Sequence, residues 1–531
     1  MKKFNKLSLL WLLVLVLPVY LFATRFKVSE VNNKNFLSGY DYSLDKKVNT
    51  SLFYQNIGSV KYAADPQVIT VGNKYYMYAT NANKNYDCSY LQCFSSTNLT
   101  DWKNEGICFQ PSRDNWCIDG LWAPEVIEKD GLFYLYFSGF KIFPENNGAS
   151  PLTFRGHQIS VATSSSPTGP FIEVKNELDP LEAKFATSYA AIDASPFIDD
   201  NGEAYLLITK DQEYINEEDI HSSILIGKLK DNMVELEGVE EGDVFNDEAF
   251  VKLIEPSMDF ENINKSTHSW NEAPFMVKRD GKYYLFYSAN YYEDREYCVC
   301  VCEATSPFDS ESFMNSKKVL LSALDSWDYV SGTGHCSIFK SVDGKEDFMA
   351  YHVHENPTLG GSERMIYFDR VAFNSLGVHV NGPSISPQPL PSGSSEYSNI
   401  GLDSTIYVND NKVIRLNDNY INTDPFDISK EENTYSKEVH IKVKFNELKK
   451  VRAISLYDSS NYSYSLNNID KITINDKVVV NIPMKESYIS GYKIPSSSFI
   501  YEFDEIETDE INIYLSSENI IYLNELMILG K

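Results

Sequence analysis

Positive charge is scarce in this sequence: 47 Lys and Arg stand against 75 Asp and Glu, a formal net charge of −28. Such a field repels phosphate backbones and anionic lipid, which excludes nucleic acid as a partner and disfavours strongly acidic polymers as substrates. Neutral glycans or small neutral molecules fit it better. Cysteine is sparse, eight in 531 residues, too few for a disulfide scaffold. Cys298, Cys300 and Cys302 alternate along a strand-like run and so face one side, as buried thiols or as a bridge, for instance to Cys336. No second ligand cluster with metal spacing accompanies them, so no metal site is read there. No lipobox-type cysteine follows the N-terminal apolar run, which leaves lipoprotein anchoring without support. Long amphipathic helices are missing from 59–388, and tryptophan and cysteine disappear after 401.

What is present suggests strands. The length is too great for one ordinary core, so two domains are expected. An aromatic share of 14%, with 36 Tyr and 30 Phe, favours sheets and also suits sugar-stacking surfaces, although most such rings pack between sheets. Residues 1–27 stand apart: Lys2, Lys3 and Lys6, then an apolar run from Leu7 to Ala23 broken by Ser8, then Arg25 and Lys27. This reads as a secretory signal or an uncleaved N-terminal membrane anchor; the run is short for a span, and Leu21 is large for a cleavage signal. Either way the remainder is expected to be exported: secreted, periplasmic or at the cell surface.

After a polar lead-in over 28–58, one phrase recurs five times. Its copies begin at Asp65-Pro66, Ala123-Pro124, Asp193-Ala194-Ser195-Pro196, Glu272-Ala273-Pro274 and His335-Cys336. Each is followed by a turn glycine (Gly72, Gly131, Gly202, Gly281, Gly344) and an apolar, mostly aromatic run such as Tyr283-Tyr284-Leu285-Phe286-Tyr287. The prolines of the first four copies are 58, 72 and 78 residues apart, the size of one propeller blade with a strand-turn-strand core. The chain is therefore expected to be all-β, with a five-bladed β-propeller over 59–388. Radial packing points the equivalent edge of every blade at one central axis, so Asp65, Asp193 and Glu272, which open three of the copies, are expected to meet at one mouth. A linker rich in Pro and Ser follows over 389–400. Residues 401–531 carry short alternating strands, among them Val439–Val443 and Ile511–Tyr514, and read as a β-sandwich accessory domain.

Carboxylates facing one another across a pocket suit glycoside hydrolysis. One is ionised and draws a proton from water, and the other stays protonated to serve the leaving oxygen. A third carboxylate nearby raises the pKa of the acid, because like charges resist joint ionisation.

With these pieces in order the chain resembles glycoside hydrolase family 43. The matching motifs are Ala64-Asp65-Pro66, Leu121-Trp122-Ala123-Pro124-Glu125-Val126, Ile192-Asp193-Ala194-Ser195-Pro196, Asn271-Glu272-Ala273-Pro274 and Gly332-Thr333-Gly334-His335, spread over about 59–385. The resemblance implies a five-bladed propeller with Asp65 as general base, Asp193 tuning and orienting the acid, and Glu272 as general acid. It also implies inversion, with base and acid roughly 6.5–9.5 Å apart. Trp122 stands where the family often places a sugar-stacking aromatic, and Arg364 resembles its late substrate-binding arginine. His335 aligns with a histidine near the axis that can help hold calcium or water. A lone imidazole is a poor calcium ligand, however, and no cofactor is required by this chemistry. The fourth motif departs from the family by reading Glu-Ala-Pro where many relatives have Glu-Gly-Pro. The substrate class expected is a neutral oligosaccharide or polysaccharide bearing α-L-arabinofuranosides or β-D-xylosides. A galactoside or fructoside specificity, and a non-catalytic glycan-binding propeller, are the alternatives. The fructosidase signatures are absent, and a non-catalytic propeller would lack at least one carboxylate. The closing run Ile520–Gly530 is similar to the last strand of discoidin-like carbohydrate-binding modules; a purely structural buttress is the alternative there.

Overall fold

The computed structural model describes residues 51–531 except 57–59, 83–87, 113–114, 141–155, 215–219, 323–329, 376, 385–386, 414, 422–432, 436–437, 459–468, 475–476, 481–487, 490–491, 494–497 and 517–520. The signal or anchor segment 1–27, and the lead-in up to residue 50, lie outside the described residues.

Five antiparallel blades follow one another along the chain, blades 3 and 4 being joined into one sheet by a short parallel pairing of residues 220–222 with 268–270. Blade 1 has strands Ala63–Val71, Lys74–Asn81, Leu91–Ser96 and Lys103–Phe109. Blade 2 has Trp122–Lys129, Leu132–Phe140, His157–Ser164 and Ile172–Glu173. Blade 3 has Ala191–Ile198, Ala204–Tyr214, Ile220–Leu229 and Val251–Ile254. Blade 4 has His268–Arg279, Lys282–Ala289, Cys298–Ala304 and Lys318–Leu321. Blade 5 has Gly334–Lys340, Asp347–His354 and Arg364–Asn374, the last flanked by Gly377–Val380 and by Val60–Lys61. The first strands of the blades touch in order, and that of blade 5 returns to that of blade 1. The Ser337 hydroxyl donates to the Pro66 carbonyl across this junction (2.9 Å). Val60–Lys61, from ahead of blade 1, completes blade 5 and so closes the circle.

The aromatic runs are continuous because each second strand is buried on both faces. Successive side chains of a strand point to opposite sides. In blade 4, Tyr283, Leu285 and Tyr287 pack toward blade 3, whereas Tyr284 and Phe286 pack toward blade 5. In blade 2, Phe133, Leu135 and Phe137 face blade 1, and Tyr134 and Tyr136 face blade 3. The core is thus five apolar wedges between neighbouring blades. The turn glycines all have positive φ, from 61° at Gly72 to 86° at Gly202, which tight hairpin turns require.

All eight cysteines are free and buried. Cys298, Cys300 and Cys302 do share one side, in the wedge between blades 3 and 4. The bridge to Cys336 is not formed, because that residue belongs to the next wedge. Here the strand alternation that aligned the three sulfurs also turned them away from blade 5.

Beyond the propeller, one large sheet is built on the long strands Glu438–Asp458 and Ser498–Ser516, with the closing strand Ile521–Gly530 beside the first. Register shifts between Lys444 and Lys449 and between Val451 and Ala453 bend these strands. Alternate residues Val439, Ile441 and Val443 join Ile511, Ile513 and Leu526 inside the sandwich. The sandwich meets the lead-in of the propeller. Leu52 and Phe53 are buried against Ala453, Ile500 and Leu529. Phe53–Tyr54 pairs with Gln388–Pro389, whose Gln388 accepts from the Tyr457 hydroxyl at 2.8 Å.

Candidate active site

The cavity lies at the beginnings of the first strands. Each of these strands carries one residue with positive φ: Asp65 (52°), Ala123 (45°), Asp193 (56°), Ala273 (55°) and His335 (48°). Each also shows a register shift at that point, a β-bulge repeated in all five blades. For non-glycine residues this conformation costs about 1–2 kcal/mol, so surrounding bonds have to hold it.

They come from the neighbouring blade. The amide of Ala123 donates to Thr80 (2.8 Å), that of Asp193 to Ser138 (3.0 Å), that of His335 to Ser288 (2.7 Å) and that of Asp65 to His352 Nδ1 (3.3 Å). Thr80, Ser138, Thr209, Ser288 and His352 are the cross-strand partners of the residues just ahead of each bulge. The one variation is at blade 4. There the Ala273 amide donates to Asp193 Oδ2 (3.0 Å), which also accepts from the Thr209 hydroxyl at 3.4 Å. The Asp193 carboxylate is thereby inserted into the relay and pinned beside Glu272.

This register corrects the equivalence of the three carboxylates. Glu272 is not equivalent to Asp65 and Asp193; Ala273 is, and Glu272 stands level with Trp122 and Ile192, one residue ahead of the bulge. Ala194, not Pro196, matches Pro66. Backbone register fixes equivalence: Pro66, Pro124 and Pro274 directly follow the bulge residue, whereas Pro196 lies three residues after it.

All six residues singled out from the sequence line one cavity of about 290 Å³: Asp65, Trp122, Asp193, Glu272, His335 and Arg364. The two outer carboxylates are driven in opposite directions. Burial would raise the Asp65 carboxyl, but Arg364 (Nη1 to Oδ1, 3.1 Å) and then His335 (Nδ1 to Oδ1, 3.3 Å) outweigh it and hold the group well below the usual range. Glu272 is pushed well up by burial and then by the Asp193 charge, against a hydrogen bond from the Tyr297 hydroxyl at 2.8 Å. Asp193 is itself raised, by burial first; His335 opposes the rise and Asp65 adds to it. Burial takes His352 down to about 3, so its ring is neutral and its Nδ1 can accept the Asp65 amide. Trp122, 38% exposed, has His157 stacked against it at 3.9 Å.

Tyr297 explains a glycine in the fifth motif. A Cβ on Gly334 would fall 1.9 Å from the Tyr297 ring, so the backbone passes where only glycine fits.

Calcium takes six to eight oxygen ligands, so beside His335 most of its shell would have to come from water. The nearest carboxylate oxygen, Asp65 Oδ1, is already held by the Arg364 guanidinium. Among the described residues no group of three or more His, Cys, Asp or Glu side chains is arranged to hold a metal ion.

With the fold and the cavity described, comparison with known proteins decides the family. The model of glycosyl hydrolases family 43 matches residues 55–378. The chain belongs to family 43. A thermostable family-43 glycoside hydrolase of known structure is 33% identical, with a TM-score of 0.53, over 64% of this chain and 99% of that one. The β-D-galactofuranosidase of Aspergillus niger is 25% identical over 59% of this chain and 80% of its own length. The extracellular exo-α-(1→5)-L-arabinofuranosidase of Streptomyces avermitilis is 23% identical over 63% of this chain, which spans 64% of that protein. Membership of family 43 makes the chain a glycoside hydrolase.

Several residues of this family-43 cavity escaped the sequence reading. Asp211, His268, Trp270, Tyr291 and Tyr297 also line it. His268 and Trp270 had a usable signal, since they alternate with Glu272 and share its side of the strand. The relay residues had one too: each directly follows the aromatic or apolar run of its copy, as Ser288 follows Tyr287.

Proposed function

We propose that this chain is an exported, inverting family-43 glycosidase acting on neutral pentosides, α-L-arabinofuranosides or β-D-xylosides, in oligosaccharides or polysaccharides. Glu272 protonates the leaving oxygen. Asp65 takes a proton from a water on the opposite face of the sugar, and that water's oxygen bonds to the anomeric carbon as the leaving group departs. Asp193 keeps Glu272 protonated and aimed, Arg364 keeps Asp65 ionised, and Trp122 offers a face to the sugar. The observation that carries the reading is that Asp65 and Glu272 line one cavity whose surroundings drive their carboxyls in opposite directions. A second reading, β-D-galactofuranosides, is favoured by the name of the Aspergillus niger relative. That sugar shares the ring configuration of α-L-arabinofuranose and differs in its exocyclic arm.

The test is a sugar-release screen over arabinofuranosides, xylosides and galactofuranosides, with product anomers read by NMR. Inversion is expected, and a retained anomer would overturn the mechanism. Glu272→Gln is expected to abolish turnover of substrates with poor leaving groups and to spare activated aryl glycosides. Asp65→Asn is expected to lose about 10²–10⁴-fold on both. Equal loss from Glu272→Gln on both substrate types would remove Glu272 from the acid role.

A further inference from the structure

Asp193 supplies charge beside Glu272, but charge alone does not decide which of the two Glu272 oxygens carries the proton. Only one of them can face a leaving group. Tyr297, a buried side chain that lines the cavity, makes the two oxygens different.

Tyr297 stands just ahead of strand Cys298–Ala304 of blade 4, where its amide closes a turn on the Asp294 carbonyl at 3.1 Å. Its hydroxyl donates to Glu272 Oε1 at 2.8 Å. Ser288, the cross-strand partner of Glu272, hydrogen-bonds to the same hydroxyl. Ser288 also accepts from the His335 amide, so its own proton is free to go to Tyr297 while the tyrosine proton goes on to Glu272. Among the described residues, none hydrogen-bonds to Glu272 Oε2.

The ring is held on several sides. One face is stacked on His352, with centroids 5.5 Å apart and planes 10° from parallel. Gly334 backs against it, where a Cβ would fall 1.9 Å from the ring. His352 in turn holds the Asp65 amide through Nδ1, and Ser288 holds the bulge of His335, whose ring lies 3.3 Å from Asp65 Oδ1. The groups that brace Tyr297 are thus the groups that place Asp65. Burial and then Glu272 push the phenol well above its usual range, so it stays a donor at any pH near neutrality.

An oxygen that accepts from Tyr297 is not the one that carries the proton of a neutral carboxyl. We propose that Tyr297 is a positioning residue for the acid: its hydroxyl engages Oε1, leaves the proton on Oε2 and turns that oxygen toward the glycosidic oxygen. The inference rests on the activity proposed above. In the step itself the Oε2–H bond breaks and its proton goes to the leaving oxygen, which takes the electron pair of the bond to the anomeric carbon. Glu272 is left as a carboxylate, with Tyr297 still donating to Oε1.

The test variant is Tyr297→Phe, which keeps the ring, its stack on His352 and its fit against Gly334, and removes only the hydroxyl. For whichever sugar the wild type hydrolyses, kcat/KM is measured on the homodisaccharide, a poor leaving group, and on the 4-nitrophenyl glycoside, which needs little proton donation. The ratio of the first to the second is expected to fall at least about tenfold, and loss of folded enzyme cancels from it. The charges facing Glu272 are Asp193, Asp211 and Asp65, and all three remain. Losing a hydrogen bond that favours the ionised carboxylate should move the basic limb of the kcat/KM profile to higher pH, whereas a loosened, wetter pocket would move it lower. Neutron diffraction on the wild type in heavy water is expected to place the Tyr297 deuteron toward Oε1 and the Glu272 deuteron on Oε2. An unchanged ratio, a basic limb that stays or moves down, or a deuteron on Oε1 overturns the positioning role. If Glu272→Gln lowers the ratio and Tyr297→Phe does not, the positioning role alone falls. If neither lowers it, the acid assignment falls as well.

Discussion

At the scale of single residues, the site is a device for separating two carboxylates that would otherwise titrate alike. Asp65 is held low because a guanidinium and an imidazole surround it; Glu272 is pushed up because it is buried beside Asp193. The signs of the pH dependence follow. Under the proposed mechanism, activity is expected to fall on the acid side as Asp65 takes up a proton and on the basic side as Glu272 loses one. Asp193→Asn keeps an acceptor for the Ala273 amide and removes a charge near Glu272, so the basic limb of the kcat/KM profile is expected to move to lower pH. Arg364→Met removes the cation that depresses Asp65, so the acid limb is expected to move to higher pH. Limbs that stay in place would show that other groups control the profile. The Asp65–Arg364 pairing was not legible in the sequence, because a pairing across 299 positions leaves no local pattern.

At the scale of strands and blades, the repeated bulge is what aims the side chains. The blade count and the turn glycines could be read directly, since a strand buried on both faces needs a continuous apolar run and a tight hairpin needs positive φ. The bulge could not, because it is a matter of register, the proline marking it is offset in blade 3, and the acidic residue of blade 4 stands one position ahead of it. Its supports, single Thr, Ser or His residues, are marked only by following the apolar run of each copy. Each holds a strained backbone turn of the next blade. Ser138→Ala leaves the Asp193 amide buried without its acceptor and is expected to cost about 1–3 kcal/mol in denaturant unfolding. It should also lower kcat, since the backbone turn that places the Asp193 carboxylate would lose its support. A stable variant with normal kcat would mean that the bulge supports itself.

For the whole molecule, the sandwich is a buttress by construction, whatever else it binds. The composition of 389–400 suggested a free tether, yet Leu390 and Ser392 are buried, and the Ser392 amide donates to Glu346 at 2.7 Å. Local composition does not reveal that a segment is docked by its neighbours. Phe53 is fully buried beneath the sandwich and Leu52 is 2% exposed, and a side chain of that kind contributes about 1.5–3 kcal/mol by burial. Truncation after residue 400 uncovers both. It is expected to lower the melting temperature and promote aggregation relative to the full chain, and an unchanged melting temperature would contradict the buttress.

The closure of blade 5 by Val60–Lys61 bears on when catalysis becomes available. Asp65 is among the first residues of the propeller to leave the ribosome, whereas His335, His352 and Arg364 are among the last. A partly synthesised chain therefore lacks the groups that hold Asp65 low. If Asp65 is the base, as proposed, hydrolytic power is expected to stay dormant until the final blade docks, and a polypeptide halted before it to be inert toward glycans.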